Sequence, residues 1–269
     1  METQQLWECV QHVREQSPLV HNITNLVVMN NTANALLSIG ASPIMAHAHS
    51  EVQEMVSICN SLVINIGTLD EYTEKSFLLA AEKANETGKP WVLDPVGAGA
   101  TPYRNEVLSR LLTLRPSVIR GNASEILALA KANTDITKGA DSTVDSVEAI
   151  NAAKELNQKY GSIICISGKT DIIVSNHNTY LIYNGNSMMT KVTGLGCSAT
   201  AVIGAFIAGA NDHLAAVCAA AGLFSLCGEL AAHTAKGPGS LQTGLLDQLY
   251  AITQEEFITQ LKISRYEQE

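Results

Sequence analysis

Charge is scarce in this chain of 269 residues. Asp, Glu, Lys and Arg together make up 16 %, and aromatics 5 %, against 46 % hydrophobic residues. That balance excludes a disordered tail protein, which would be charge-rich and poor in apolar residues. A basic excess is also missing. Seventeen Lys+Arg against 26 Asp+Glu leave a net charge of −9 at pH 7, so no surplus of cations exists to displace counterions from a nucleic acid. The six cysteines (Cys9, Cys59, Cys165, Cys197, Cys218, Cys227) form no CxxC pair. Secreted disulfide frameworks are shorter and denser in Cys, so a reduced, cytoplasmic chain is expected. Residues 1–5 are polar and include Glu2, which is not the pattern of a signal peptide.

An uninterrupted apolar run is lacking as well. The most membrane-like stretch, 214–235, is broken by Gly222, Gly228, Glu229 and His233, and its neighbour 197–210 is too short to span. A buried helix pair joined at 211–213 is the expectation. No Ser- or Pro-rich linker and no repeat divides the sequence, so residues 1–269 read as one domain, with the polar run 133–145 a loop inside it. The length can bury a sizeable core. Low charge with a mean hydropathy of +0.10 points to further burial, as in an oligomer.

What is present is alternation. Short apolar runs at 19–23, 43–46, 62–66, 91–94, 117–119 and 163–167 read as strands. Between and after them, 30–38, 51–59, 71–87, 104–114, 123–132, 144–159, 198–210, 214–233 and 254–261 read as helices. Continuous apolar strands between helices predict an α/β fold with a mainly parallel sheet covered on both faces. Runs 172–175 and 180–183, flanking Asn176-His177-Asn178, predict a hairpin at one sheet edge. Ligands in open parallel sheets bind beyond the carboxyl ends of the strands, so the informative residues are those that close these runs: His21-Asn22, Met45, Gly67, Asp94, Gly121-Asn122 and Gly168.

Two motifs mislead. Gly168-Lys169-Thr170 resembles the end of a P-loop, but Ile163 stands where that pattern requires Gly. Gly194-Leu195-Gly196-Cys197-Ser198-Ala199 fits a dinucleotide fingerprint, yet a helical pair follows instead of a second strand ending in an acid. The same turn has another reading. Backbone N–H groups at a helix start cradle anions, glycines permit close approach, and Cys197 at that start would have its thiolate favoured. A buried Cys beside an ordinary glycine turn fits equally. Asp94-Pro95-Val96-Gly97-Ala98-Gly99, an acid at a strand end before a glycine loop, suits Mg²⁺ or phosphate, or else a helix cap. Asn122 and Glu125 match an N-cap and its third-position partner. In a functional reading, Glu125 orders a metal-bound water and Arg120 meets phosphates. His47 and His49 lack a third ligand nearby and read as loop residues.

Taken together, His21-Asn22-Ile23-Thr24-Asn25, 41–47, 94–99, 120–125, 192–200 and Gly237-Pro238-Gly239-Ser240 resemble the hydroxyethylthiazole kinase family, in order and over nearly the whole chain. The resemblance implies a ribokinase-like three-layer sandwich. It implies ATP-dependent phosphorylation of 4-methyl-5-(2-hydroxyethyl)thiazole in thiamine salvage, a Mg²⁺ requirement, and a homotrimer with active sites at subunit interfaces. It places Cys197 as the catalytic residue, Gly194 and Gly196 as the anion hole, and Arg120 and Ser167 on ATP. Met45, Asn25 and Gly194 fall on the substrate, and Asp94 and Glu125 on the metal. Ser167 stands where the family commonly has Thr, which keeps the hydroxyl. His49-Ser50 replaces a more acidic stretch and takes no role. Relatives of the same fold, such as hydroxymethylpyrimidine kinase or the NAD(P)H-hydrate dehydratases, carry Asp at the position of Cys197.

Overall fold

The computed structural model describes residues 1–133, 146–176 and 178–267. Of the expected loop 133–145, Asn133 instead ends the helix Ala123–Asn133, and 134–145, like His177 of the expected turn, lie outside the described residues. One sheet contains β1 (Leu19–Ile23), β2 (Ser42–Ile44), β3 (Ser61–Asn65), β4 (Trp91–Asp94), β5 (Val118–Asn122), β6 (Ile163–Ser167), β7 (Asp171–Ser175), β8 (Asn178–Ile182) and β9 (Ile263–Arg265). Their order is β2-β1-β3-β4-β5-β6-β7-β8-β9. Pairing is parallel from β2 to β6 and antiparallel from β6 to β9.

Strand composition explains the layers. Leu62 and Ile64 of β3, Trp91 and Leu93 of β4, Ile119 of β5 and Ile164 of β6 enter one core, while Val63, Val92, Val118 and Cys165 enter the other. Side chains alternate between faces, and both faces are dry, so the strands are apolar throughout. The first core is closed by α3 (Val52–Ile58), α4 (Glu71–Glu86), α5 (Pro102–Thr113), α6 (Ala123–Asn133) and α7 (Ser146–Tyr160). The second is closed by α1 (Thr3–Gln16), α2 (Met29–Ser38), α8 (Leu195–Ile207), α9 (His213–Thr234), α10 (Pro238–Ala251) and α11 (Gln254–Gln260).

The expected α8–α9 pair forms. By length and composition α9 could cross a membrane, but 83 % of its most apolar window is buried inside the protein, against α1, α8 and α10. The expected hairpin also forms, as β7 and β8, with Asn176 at φ 46°. It lies one strand in from the edge, because β9 pairs with β8. Helices α1 and α10 and strand β9 were not expected. The chain order reverses at β1, with β2 on one side and β3 on the other, so a crevice opens beyond their carboxyl ends.

Candidate functional site

Three parallel strands deliver polar residues to that crevice. Asn25 follows β1, and Asn65 and Asp94 close β3 and β4. Asn25 Nδ2 donates to Asn65 Oδ1 at 2.9 Å and to Cys197 Sγ at 3.3 Å. Asn65 Nδ2 donates to Asp94 Oδ2 at 2.7 Å, and Thr200 Oγ1 of α8 reaches the same oxygen at 2.7 Å. Asp94 is buried. Desolvation lifts its pKa to about 6, against the opposing pull of Arg120 and its two hydrogen-bond donors, while Glu125 pushes in the same upward sense.

Helix α8 starts at Leu195, earlier than expected, which places Cys197 inside its first turn. Gly194 is its N-cap with φ 80°, a left-handed conformation that side chains avoid. A Cβ there would also come within 2.2 Å of Val28 Cγ1. The first bond of the turn runs from Ser198 N to Gly194 O at 2.9 Å. The N–H groups of Leu195, Gly196 and Cys197 therefore precede any i−4 partner, an open helix mouth of the kind that can receive an anion. One expectation is overturned here. The helix start was expected to lower the Cys197 pKa. Burial raises it instead, reinforced by Asp94 and only partly offset by hydrogen bonds from Asn65 and Asn25 and by Arg120. Losing water costs the thiolate more than these partners return.

Beside this mouth lies a cleft of about 780 Å³ lined by Arg120, Ser167, Gly168, Asp171, Gly196 and others. Arg120, within β5, donates through Nη2 to Ser167 Oγ at 2.7 Å. Its guanidinium packs so closely on Gly196 that a Cβ there would lie 2.6 Å from Nη1. Asp171, buried in the same wall, accepts Ser225 Oγ at 2.6 Å and Gly168 N at 3.0 Å. Burial raises its pKa, and the hydrogen bonds and Arg120 oppose that. The Gly168-Lys169-Thr170 stretch is thus the turn joining β6 to β7.

Glu125 bridges two loops. Its Oε1 accepts Gly97 N at 3.0 Å and its Oε2 accepts Asn122 N at 2.9 Å, while Asn122 Oδ1 caps Glu125 N at 2.9 Å. The capping pair expected at 122–125 is therefore present, and it ties α6 to the loop after Asp94. Met45 follows β2, half-buried, with no polar contact to the network; its neighbour Ala46 accepts from buried His21 Nε2 at 2.7 Å. His49 stacks on Tyr72. Among the described residues no group of three or more His, Cys, Asp or Glu is placed to hold a metal.

Residues 10–255 match the sequence profile of the Hydroxyethylthiazole kinase family. The chain belongs to the hydroxyethylthiazole kinase family. The hydroxyethylthiazole kinase of Syntrophus aciditrophicus is 50 % identical over 258 residues, 96 % of each chain. That of Vibrio parahaemolyticus is 50 % identical over 262 residues, 97 % of this chain and 98 % of the relative. The solved hydroxyethylthiazole kinase protein of Pyrococcus horikoshii superposes with a TM-score of 0.90 at 40 % identity, over 97 % of this chain and 99 % of that one. Pyridoxal kinase from Staphylococcus aureus, solved with ADP, shares the fold at a TM-score of 0.64 and 15 % identity, over 80 % of this chain and 88 % of that one.

Within this member of the hydroxyethylthiazole kinase family, the structure brings Asn25, Asp94, Cys197, Gly194, Gly196, Arg120 and Ser167 to one end of the sheet. Asn65, Thr200 and Asp171 join them without having been singled out from sequence. An Asn closing the apolar run Leu62-Val63-Ile64 was the one signal available for Asn65.

Proposed function

We propose that the protein phosphorylates the primary alcohol of 4-methyl-5-(2-hydroxyethyl)thiazole with ATP, in the salvage of thiamine. The observation that carries this is the meeting of the α8 start with Arg120, Cys197 and the buried Asp94. ATP would occupy the cleft, its phosphates reaching Arg120, Ser167 and the N–H groups after Gly194. The substrate alcohol would lie near Cys197, Asn25 and Gly194, with Met45 reached from the loop after β2. Phosphoryl transfer passes through a loose transition state, so positioning and charge stabilisation carry the catalysis. The alcohol oxygen attacks the γ-phosphorus, the bond to the β–γ bridging oxygen breaks, and ADP leaves. With its pKa raised, the Cys197 thiol stays protonated near neutrality and orients the alcohol, whose proton passes late to an oxygen of the transferred phosphoryl group.

Mg²⁺ fits the carboxylates present. Both donors to Asp94 converge on Oδ2, which leaves Oδ1 for a cation or its water. Each Glu125 oxygen takes one backbone N–H and retains a free lone pair. Two carboxylates with substrate phosphates and water are the donor set this ion prefers. When bound, it would neutralise phosphate charge. A homotrimer in the cytoplasm, with sites at subunit interfaces, completes the reading. Exposed Leu26 and Val27 beside Asn25 support it, and loss of activity on dilution below the assembly threshold would test it.

The deciding experiment is an ADP-release assay across small alcohols. ADP formed with the hydroxyethylthiazole and not with hydroxymethylpyrimidine is the expected result. ADP formed only with the pyrimidine overturns the substrate, and no ADP with either overturns the kinase reading.

A further inference from the structure

The segment from Tyr183 to Thr190 forms one wall of the cleft, contributing Asn184, Gly185 and Met189 to its lining. Two consecutive residues of α9 hold that wall. At Gly228, a Cβ would lie 2.4 Å from Met189 Sδ and 2.5 Å from its Cε, so the missing side chain is the seat of the methionine. Next to it, Glu229 Oε2 accepts Asn184 Nδ2 at 3.1 Å and Gly185 N at 3.0 Å, and its Oε1 pairs with Lys262 at 2.7 Å. The chain end closes the arrangement. Lys262 N donates to Asn184 Oδ1 at 2.7 Å, Asn184 Nδ2 reaches Gln260 O at 3.0 Å, and Tyr183 N reaches Lys262 O at 2.9 Å.

Phe224 and Ala221 lie one and two turns before Gly228 on the same stripe of α9, and with Ala199 and Ile203 of α8 they give the cleft an apolar part. The polar end lies at Arg120, Ser167 and Gly196. If phosphates take the polar end, a flat nucleobase takes the apolar one, where a thioether packs well on a π face. We propose that Gly228 and Glu229 are nucleotide-positioning residues: Gly228 sets how far Met189 stands out of the base pocket, and Glu229 fixes the wall that carries it. This rests on the reading of the cleft as the ATP site.

The test measures equilibrium binding of a non-hydrolysable ATP analogue by calorimetry, together with KM for ATP and for the thiazole alcohol. In Gly228→Ala the new methyl displaces only the flexible end of Met189, so the fold survives while the sulfur is driven into the pocket. Analogue affinity should fall about tenfold and KM for ATP rise by a similar factor, with KM for the alcohol moving less than about twofold. Adding Met189→Ala should return affinity to within about threefold of Met189→Ala alone. Glu229→Leu should weaken the analogue about tenfold, and Glu229→Gln, which keeps an acceptor for Asn184 and Gly185, should stay within about threefold of wild type. Unchanged analogue binding in Gly228→Ala and Glu229→Leu overturns the inference, as does a parallel rise in both KM values without rescue. A wild-type protein that fails to bind the analogue overturns the ATP reading itself, which separates the two failures.

Discussion

Asn65 holds Asp94 by one end of its amide and the rest of the crevice by the other. Its Oδ1 accepts Gly67 N and Asn25 Nδ2, each at 2.9 Å, while its Nδ2 donates to Asp94 Oδ2 at 2.7 Å. A backbone N–H can only donate, so Gly67 fixes which way the amide faces. The amino group is thereby committed to the carboxylate.

Asn65→Leu keeps the volume and removes both ends of this link. It leaves the Gly67 N–H unpaired and takes one donor from Asp94 Oδ2, at a cost of about 1–3 kcal/mol. Urea denaturation should show that loss together with a fall in kcat. Stability equal to wild type would mean that the amide is not the clamp described.

A thiol that orients the alcohol predicts a graded response at Cys197. Cys197→Ala should slow turnover about tenfold or more and leave ATP binding nearly intact. Cys197→Asp should keep or improve turnover if a base serves better there. Labelling by iodoacetamide near neutral pH should be slow, since burial disfavours the thiolate. If both variants turn over like wild type, the residue has no part in the reaction.

The two carboxylates are separable by metal titration. Asp94→Asn and Glu125→Gln should each raise the Mg²⁺ concentration needed for half-maximal rate, by about tenfold. Glu125→Ala should in addition lose about 1 kcal/mol of stability, because Glu125 Oε2 accepts Asn122 N at 2.9 Å in the capping pair. Identical metal titrations for all three would remove both residues from the metal.

Buried His21 predicts a pH effect on stability. Desolvation holds its pKa below the ordinary 6.5, only partly countered by its bond to Ala46 and by Glu51. Between the folded and unfolded values the unfolded chain binds more protons. Stability contributed by neutral His21 is therefore complete above about 6.5 and is lost as pH falls towards the folded value. The stability difference between wild type and His21→Asn should shrink from about pH 8 to about pH 5. A constant difference would show that the ring is not held neutral by burial.

Much of the sheet is legible from residue order. β1, β4 and β6 fall at the expected positions, since apolar runs buried on both faces have polar or glycine ends. Strand β9 is not legible. Ile263–Arg265 is three residues with two exposed, and only pairing with β8 makes it a strand. Helix α1 carries Leu6, Trp7, Val10 and Val13 on a stripe thinned by polar neighbours, and it declares itself when Trp7 meets Phe257. In the site, Asp94 is visible because it closes a strand, and Ser167 only through the family resemblance. Thr200 is hidden in an apolar helix, and Asn65 lies inside the run 62–66, where a strand reading gives it no role. The direction of the Cys197 pKa depends on burial by other elements, which local sequence does not carry.

Asn25 and Cys197 meet across 172 positions of chain. Between them the polypeptide must lay down β2 through β8 before α8 can dock. Contacts this distant in sequence are late to form, because loop closure is costly before the intervening strands pair. The crevice is therefore among the last parts of the molecule to assemble. Fragments ending before α8 would hold Asn65 and Asp94 with neither the thiol nor the helix mouth, and no part of the chemistry would precede completion of the fold.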